Sequence, residues 1–206
     1  RPLAAAAMAE AVAVATAIPA PAPAAPDMQG ATEVVETFHA ALIEIMKKAP
    51  SMKAGERFRL LSAEIGRNFD IGFMTRIIAG SSWKGASERE RASLAAAFKR
   101  MSASVYTARF DGYSGQSFKT LKTRTGPRRT LLVETNLMRP KDTPVELVYV
   151  MKKKKTGWRI VDVILAGGIS ELALRYSESR QVLRKKGIEG LIASLDAMAG
   201  RMLADD

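Results

Sequence analysis

The spacing of apolar residues changes twice along this chain, and those two changes limit what it can fold into. Up to about residue 110, apolar residues recur at steps of three and four, as they do along one face of a helix. Between residues 116 and 165 they alternate at steps of two, as in a strand, and after Gly167-Gly168 the helical spacing returns. The sequence therefore predicts an α+β fold in the order helices, strands, helices.

Local signals place the boundaries of these elements. The first helix is predicted to begin near residue 31, and a short third helix to begin after Asp70, a typical N-cap residue. Ser87-Glu88-Arg89-Glu90 is a capping box, which predicts a fourth helix running to about Phe110. Short connections rich in Gly and Pro indicate a four-stranded antiparallel meander, with strands at residues 116–123, 129–138, 145–153 and 158–165.

Both faces of the predicted sheet carry apolar residues near its middle. A solvated face would be polar, so we expect something to cover each side. Helices cover one side, and the other takes either more helices, which is the commoner arrangement, or a ligand. In the last strand, simple alternation places Trp158, Ile160 and Ile164 on one face and Val161, Val163 and Leu165 on the other.

The sequence lacks the residue types that most metal and nucleophilic enzymes need. It contains no cysteine and a single histidine, His39, which excludes thiolate sites and sites with two imidazole ligands. Gly112-Tyr113-Ser114-Gly115 and Gly167-Gly168 match neither common glycine-rich nucleotide motif. We therefore expect no metal, no cofactor and no catalytic residue. We expect His39 to lie at the surface or at an edge.

Asp162 is a carboxylate between two valines of the last predicted strand. A carboxylate in such apolar surroundings must be paired, hydrogen-bonded or protonated. The favoured interpretation is a structural ion pair with Arg175 or Arg180. The alternative is a general acid or base in an apolar pocket, as in an enzyme that acts on a hydrophobic substrate.

Residues 1–26 differ in composition from the rest of the chain. They are almost entirely Ala, Val, Leu and Pro, with Arg1 at the front, which is typical of a signal-peptide remnant followed by a Pro/Ala linker. A disordered low-complexity tail is the alternative. No later segment has the roughly 20 apolar residues of a membrane span. We expect an exported, soluble protein whose single domain covers residues 31–206.

The chain is strongly basic, with a formal net charge of +11 and a pI near 10.1. Such a charge favours anionic partners, which include lipid headgroups, acidic proteins and nucleic acid. The densest runs are Lys152–Lys155 and Arg184–Lys186, each next to a glycine. We interpret each run as a solvated turn or helix end, with a docking patch as the alternative. A nucleic-acid-binding module is disfavoured because aromatic residues do not alternate with these runs.

Several segments, taken in order, resemble one known family, the periplasmic toluene-tolerance or MlaC-like lipid carriers. The likeness covers about residues 31–203. The segments Ser170–Ala173 and Arg175–Glu178 are similar to the hopanoid-associated, HpnM-like branch. The full set of matching segments is Asn68–Asp70, Gly80–Trp83, Phe98, Tyr106, Gly157–Val163, Gly168–Ala173, Arg175–Glu178 and Gly187–Ile192.

The resemblance implies a periplasmic carrier rather than an enzyme. Its sheet and helices would enclose an apolar cavity for a hopanoid or a glycerophospholipid. Its partners would be an inner-membrane ABC lipid transporter complex and an outer-membrane lipid donor or acceptor, and it would use no cofactor. The residues expected at the cavity, which would serve equally well in an ordinary core, are Phe69, Phe73, Ile77, Trp83, Tyr106, Leu147, Tyr149, Val161, Val163, Leu165 and Leu172.

Overall fold

A computed structural model of the chain describes residues 27–204. The predicted leader and linker, residues 1–26, lie outside the described residues. The first helix begins at Met28, slightly before the predicted domain boundary at residue 31. The helices are α1 (Met28–Lys48), α2 (Ala54–Asn68), α3 (Ile71–Ala79), α4 (Glu88–Arg109) and α5 (Glu171–Ala204); the strands are β1 (Ser117–Thr125), β2 (Thr130–Arg139), β3 (Asp142–Lys154), β4 (Gly157–Leu165) and β5 (Ile169–Ser170).

Side chains cap helices α1, α3 and α4 at their N-termini. Asp27 accepts a hydrogen bond from Gly30 N at the start of α1, and Asp70 accepts one from Phe73 N at the start of α3. At α4, Glu90 N donates to Ser87 Oγ and Ser87 N donates to Glu90 Oε2. These bonds satisfy backbone N–H groups that have no partner within the first helical turn. They confirm the predicted Asp70 cap and the predicted capping box.

Helix α5 is interrupted at Gly187, where the backbone has φ 63° and ψ −163°. A residue with a Cβ rarely adopts this combination, so glycine allows the chain to change direction here. The segments before and after Gly187 each pack an apolar face inward, through residues such as Leu172 and Leu191. The C-terminal helical region is therefore two helices joined at one glycine.

The strands form one antiparallel sheet in the order β1-β2-β3-β4-β5. The predicted meander is confirmed, with the two-residue β5 added at the edge of β4. Phe69, at the end of α2, also bridges to Ile160 of β4, and Asp70 N donates to the Ile160 carbonyl. This contact fixes the junction of α2 and α3 against the sheet.

A β-bulge in β4 overturns the predicted assignment of its faces. Val150 pairs with Asp162, but the next residue, Met151, pairs with Ile160, so Val161 has no partner across the strand. One extra residue reverses the alternation beyond it. Trp158, Ile160, Val163 and Leu165 consequently share one face, because their cross-strand partners Lys153, Met151, Tyr149 and Leu147 share it too.

The helices cover the face that carries Val133, Tyr149, Met151 and Ile160, which we call the inner face. These four side chains are buried, with exposed fractions of 0 to 2%. A hydrogen bond of 2.7 Å between the hydroxyls of Thr32 in α1 and Thr123 in β1 joins the two layers.

The opposite, outer face is less apolar than the sequence suggested. Val148 and Val150 are only half-buried there. They lie beside charged groups that include Glu134, which pairs with Arg124 at 2.6 Å and with Lys122 at 3.4 Å. Leu132, which pairs with Val150, is buried on this face, whereas the two valines stay partly exposed. Their exposure does not fit the second covering layer that we expected over this face.

Candidate functional site

A cavity of about 440 Å³ lies between α4 and the inner face of the sheet. Its size falls within the range typical of small-molecule binding sites. Strands β2 to β4 form one wall, α4 forms the other, and α1, the α2–α3 junction and α5 close the ends. The apolar side chains on its wall are Met46, Phe69, Met74, Phe98, Met101, Val105, Tyr106, Phe110, Leu137, Val145, Leu147, Tyr149, Val163, Leu165 and Leu172.

An aromatic cluster forms part of the cavity wall and of the packing behind it. Phe38 of α1 lies behind the wall, with its ring centroid 5.4 Å from Phe69 in an edge-on arrangement and 5.7 Å from Tyr106. Tyr106 stacks in turn on Phe110, 5.5 Å away. Edge-on and offset contacts of this kind stabilise aromatic clusters beyond simple burial. The cluster therefore forms a rigid apolar boundary for whatever occupies the space.

Two tyrosines contribute hydroxyl groups to this largely apolar wall. Burial raises the pKa of Tyr106 and of Tyr149, so both hydroxyls stay neutral at physiological pH. The Tyr149 hydroxyl lies 2.9 Å from Nε2 of His39, which supplies a partner for a polar group that would otherwise be buried alone. The deep part of the cavity therefore carries no ionised group from these residues.

His39 is buried, with 4% of its surface exposed, so the expectation that it lies at the surface or an edge is wrong. Its ring stacks on Phe118 at a centroid distance of 3.8 Å and an interplanar angle of 9°. Burial lowers the pKa of His39 from 6.5 to about 3, which keeps the imidazole neutral. A second, more open hollow borders His39 on its other side. His39 therefore supports the cavity wall from behind.

Five of the six polar lining residues, all except Ser102 in α4, lie at or near the ends of their elements, and we call the side of the cavity where they gather its mouth. Arg109 ends α4, Glu171 and Arg175 lie in the first turns of α5, Arg139 ends β2, and Gln116 precedes β1. Arg109 and Glu171 form an ion pair at 3.3 Å. The cavity thus combines a deep apolar space with a charged opening.

Comparison with known proteins places the chain in a family. A model of the MlaC protein family matches residues 36–197. The chain belongs to the MlaC family. The resemblance predicted from the sequence is confirmed at this level.

A solved structure agrees with the fold of this MlaC-family chain. It is the phospholipid-binding protein from Ralstonia solanacearum, determined in complex with a phospholipid. The two superpose with a TM-score of 0.74 at 20% sequence identity, over 84% of this chain and 98% of the other. The predicted α+β class is therefore also the fold of this similar protein.

Seven of the eleven residues predicted for the MlaC-like cavity lie on its wall. They come from α4, α5, the α2–α3 junction and the inner face of β3 and β4, and the cavity brings them together. These residues are Phe69, Tyr106, Leu147, Tyr149, Val163, Leu165 and Leu172. Their contact with a ligand stays a prediction.

The other four predicted residues lie away from the cavity wall. Lys152 is positioned over the ring of Phe73, 4.7 Å from its centroid, and Arg91 over Trp83, 5.2 Å from the ring centroid. Ile77 is 38% exposed on α3. Val161 is the buried bulge residue of β4. The structure therefore does not bring these four together with the other seven.

Sequence reasoning missed much of the α4 wall of this MlaC-family cavity. Phe98, Met101 and Val105 recur at steps of three and four, a pattern that identified the helix but did not separate cavity from core. Met46 and Met74 also reach the wall from α1 and α3. Only the positions of the sheet and α4 relative to each other distinguish a lining residue from a packed one.

Asp162 does not form the predicted ion pair with Arg175 or Arg180. Its Oδ1 accepts hydrogen bonds from Val163 N and Leu172 N, and its Oδ2 accepts one from Ser170 Oγ at 2.5 Å. Arg175 pairs instead with Glu178 at 2.8 Å. Asp162 therefore holds the beginning of α5 against β4, which is the structural role expected of a capping carboxylate.

Two further properties concern residues 27–204. No group of three or more His, Asp or Glu side chains within this range could hold a metal ion. No helix in the same range is both long enough and apolar enough to cross a membrane.

Proposed function

We propose that this protein is a periplasmic lipid carrier that holds the apolar part of one membrane lipid in the cavity between α4 and the sheet. The observation that carries the proposal is the combination, in one cavity, of fifteen apolar lining residues with six polar ones, five of which gather at the mouth. A membrane lipid has the same division into a long apolar part and a polar end. Membership of the MlaC family and the phospholipid-bound protein of the same fold support this assignment.

Removal of apolar surface from water would hold the lipid. Each buried methylene contributes about 0.8 kcal/mol, so about ten methylenes stabilise the complex by roughly 8 kcal/mol. Spontaneous escape into water is then slow, and release requires a partner that opens the mouth. We propose an inner-membrane ABC lipid transporter complex and an outer-membrane donor or acceptor as those partners. The protein would shuttle lipid between them and so help to maintain the lipid composition of the outer membrane.

The lipid is either a glycerophospholipid or a hopanoid. The likeness of Ser170–Ala173 and Arg175–Glu178 to the hopanoid-associated branch supports a hopanoid. Arg109, Arg139 and Arg175 on the cavity wall favour a lipid with a phosphate at its polar end, since guanidinium groups bind phosphate in a bidentate manner.

An acid-base enzyme that uses Asp162 is the rival proposal. The geometry offers it no support, because Asp162 is not among the lining residues and both of its oxygens already accept hydrogen bonds, Oδ1 from Leu172 N in α5 and Oδ2 from the hydroxyl of Ser170 just before α5. A carboxylate that caps a helix outside the cavity cannot readily accept a proton from a substrate in the cavity or donate one to it. We therefore propose binding and transfer without chemistry.

A pair of substitutions at adjacent positions of β3 tests the proposal. Leu147 faces the cavity, whereas Val148 lies on the outer face and is half-buried. Leu147→Trp should fill part of the cavity and lower the amount of lipid that delipidated protein extracts from vesicles. Val148→Trp introduces the same side chain outside the cavity and should extract as the wild type does.

Circular dichroism and thermal unfolding would first establish that both variants are folded. Equal extraction by the two folded variants would contradict a role for the cavity. Chromatography and mass spectrometry of the lipid that the wild type extracts would also distinguish a hopanoid from a phospholipid by its mass.

A further inference from the structure

Two hairpins of the sheet end side by side, at the end opposite the cavity mouth. The β1–β2 turn covers residues 126–129 and the β3–β4 turn covers residues 155–156. Their registers pair Thr130 with Lys152 and Lys154 with Gly157, so the tips of both hairpins lie at the same end of the sheet. The β2–β3 turn, which follows the mouth residue Arg139, lies at the opposite end of the sheet.

The two adjacent hairpin tips carry five exposed cationic side chains. We call this set, Arg128, Arg129, Lys153, Lys154 and Lys155, the basic end. Neighbouring strands lie about 4.8 Å apart, so the two tips form one patch. The sequence showed only the lysine run, which had a plausible role as a solvated turn. The strand register adds two arginines to it from a segment 24 or more residues away in the chain.

Carboxylates neutralise only part of this patch. Lys153 pairs with Asp27 at 3.2 Å, and Lys154 pairs with Asp70 at 2.7 Å. Within residues 27–204, no carboxylate lies within 4.0 Å of the side-chain nitrogens of Arg128, Arg129 or Lys155. Three positive charges at this end of the sheet therefore remain available to bind an anionic partner.

The backbone at Arg128 and Arg129 is strained. Both residues have positive φ angles, 55° and 59°. The left-handed region costs a residue with a Cβ about 1 kcal/mol or more, and glycine or asparagine would adopt it more easily. Two consecutive arginines in this conformation are unfavourable for the turn itself. A tight hairpin turn needs this backbone geometry, but the turn does not favour arginine there, so the choice of arginine at both positions supports a role for these side chains outside the fold.

We propose that the basic end binds the anionic surface of a membrane and so holds the carrier with its cavity mouth facing away from that bilayer. An anionic lipid surface attracts basic side chains without requiring apolar contacts. A stable protein interface usually needs buried aromatic or aliphatic anchors. Neither turn contains a large apolar side chain, because the residues between the strands are Gly126, Pro127, the two arginines, Lys155 and Thr156. A lipid surface therefore fits the patch better than a protein partner.

This orientation has a consequence for transfer. The 13 residues of β3 span roughly 40 Å from the mouth end to the basic end. A lipid in the mouth would then be presented to a partner protein and not to the bilayer that holds the carrier. Docking and lipid exchange would use opposite ends of the molecule.

Charge-removing variants test the docking surface. The triple variant Arg128→Gln, Arg129→Gln, Lys155→Gln removes the three available charges of the basic end. The matched control Lys48→Gln, Lys119→Gln, Lys141→Gln removes three exposed charges nearer the mouth end. Both variants have the same net charge, so any difference between them reports position and not total charge.

Sedimentation with vesicles of phosphatidylcholine and about one-third phosphatidylglycerol would measure binding at low salt. The basic-end variant should bind about a hundredfold more weakly than the wild type, since each charge near an anionic surface is worth about fivefold. The control variant should lose far less of its affinity for the vesicles. The proposal would be overturned if the basic-end variant bound as tightly as the wild type, or if both variants lost affinity equally. It would also be overturned if the wild-type protein did not bind these vesicles.

The orientation can be measured separately, because the chain has no cysteine and a single introduced cysteine can be labelled uniquely. A fluorophore at Thr156→Cys, in the β3–β4 turn, should be quenched by spin-labelled headgroups in the same vesicles. A fluorophore at Lys141→Cys, in the β2–β3 turn, should not be quenched. Equal quenching at the two positions, or stronger quenching at position 141, would contradict docking through the basic end. Neither experiment depends on whether the cavity holds a lipid.

Discussion

His39 should make the folded protein less stable in acid, and His39→Gln should remove that part of the pH dependence. The imidazole is buried between Phe118 and Tyr149 and has a pKa of about 3 in the folded protein, against 6.5 when exposed. The unfolded chain therefore binds a proton below pH 6.5 that the folded chain does not bind until about pH 3. The stability that the neutral imidazole contributes is complete above pH 6.5 and is lost progressively as the pH falls towards 3.

The size of this effect follows from the pKa difference. Each pH unit within the window changes the free energy of unfolding by about 1.4 kcal/mol. Between about pH 7.5 and about pH 4.5 the wild type should lose roughly 2.5 kcal/mol through His39 alone. Asp27, Glu90 and Glu134 have lowered pKa values and also lose stabilising charge in acid, but they do so equally in both proteins.

Urea unfolding of the wild type and His39→Gln across this pH range measures the difference directly. Glutamine can keep a hydrogen bond to the Tyr149 hydroxyl and does not ionise. Parallel stability curves for the two proteins would show that His39 does not contribute this pH dependence. Titration near pH 6.5 of the ring signals of this single histidine, followed by NMR in the folded wild type, would contradict its lowered pKa.

Two further predictions concern α5 and the residues that hold its start. Gly187→Ala should destabilise the protein by about 1 to 3 kcal/mol, because alanine rarely adopts the positive φ of this position. Gly200→Ala, in regular helix with open space around it, should stabilise the protein by about 0.5 to 1 kcal/mol. Thermal unfolding measures both changes, and equal shifts would contradict the break at Gly187. Asp162→Asn should lower stability by about 1.5 to 3 kcal/mol through weaker capping of α5, yet leave lipid extraction unchanged in the folded variant; a folded variant that no longer binds lipid would contradict the capping role.

The order of helices and strands could be predicted because its signals are local. Apolar periodicity, the capping residues Asp70 and Ser87, and glycine-containing turns each act within a few residues. The bulge at Val161 could not be predicted, because it depends on how β4 pairs with β3 and leaves no mark in the spacing of β4 itself. That single residue is why simple alternation assigned half of β4 to the wrong face.

The site could be predicted less completely than the fold. Leu147 and Tyr149 were placed correctly on one face of β3, since alternation there is uninterrupted up to the bulge. His39 was misplaced because its burial depends on Tyr149, a partner 110 residues away in the chain. Whether an apolar face meets another apolar face or an open space depends on the distance between layers, which the sequence pattern does not encode.

If the protein is a lipid carrier, a lipid occupies the cavity between α4 and the sheet. Native mass spectrometry of the wild-type protein, purified without detergent and followed by solvent extraction, tests it most directly. The protein should carry one lipid of defined mass, and Leu147→Trp should carry less of it while Val148→Trp carries as much. Wild-type protein that is repeatedly free of ligand, and that takes up no lipid from vesicles, would contradict lipid binding in this cavity.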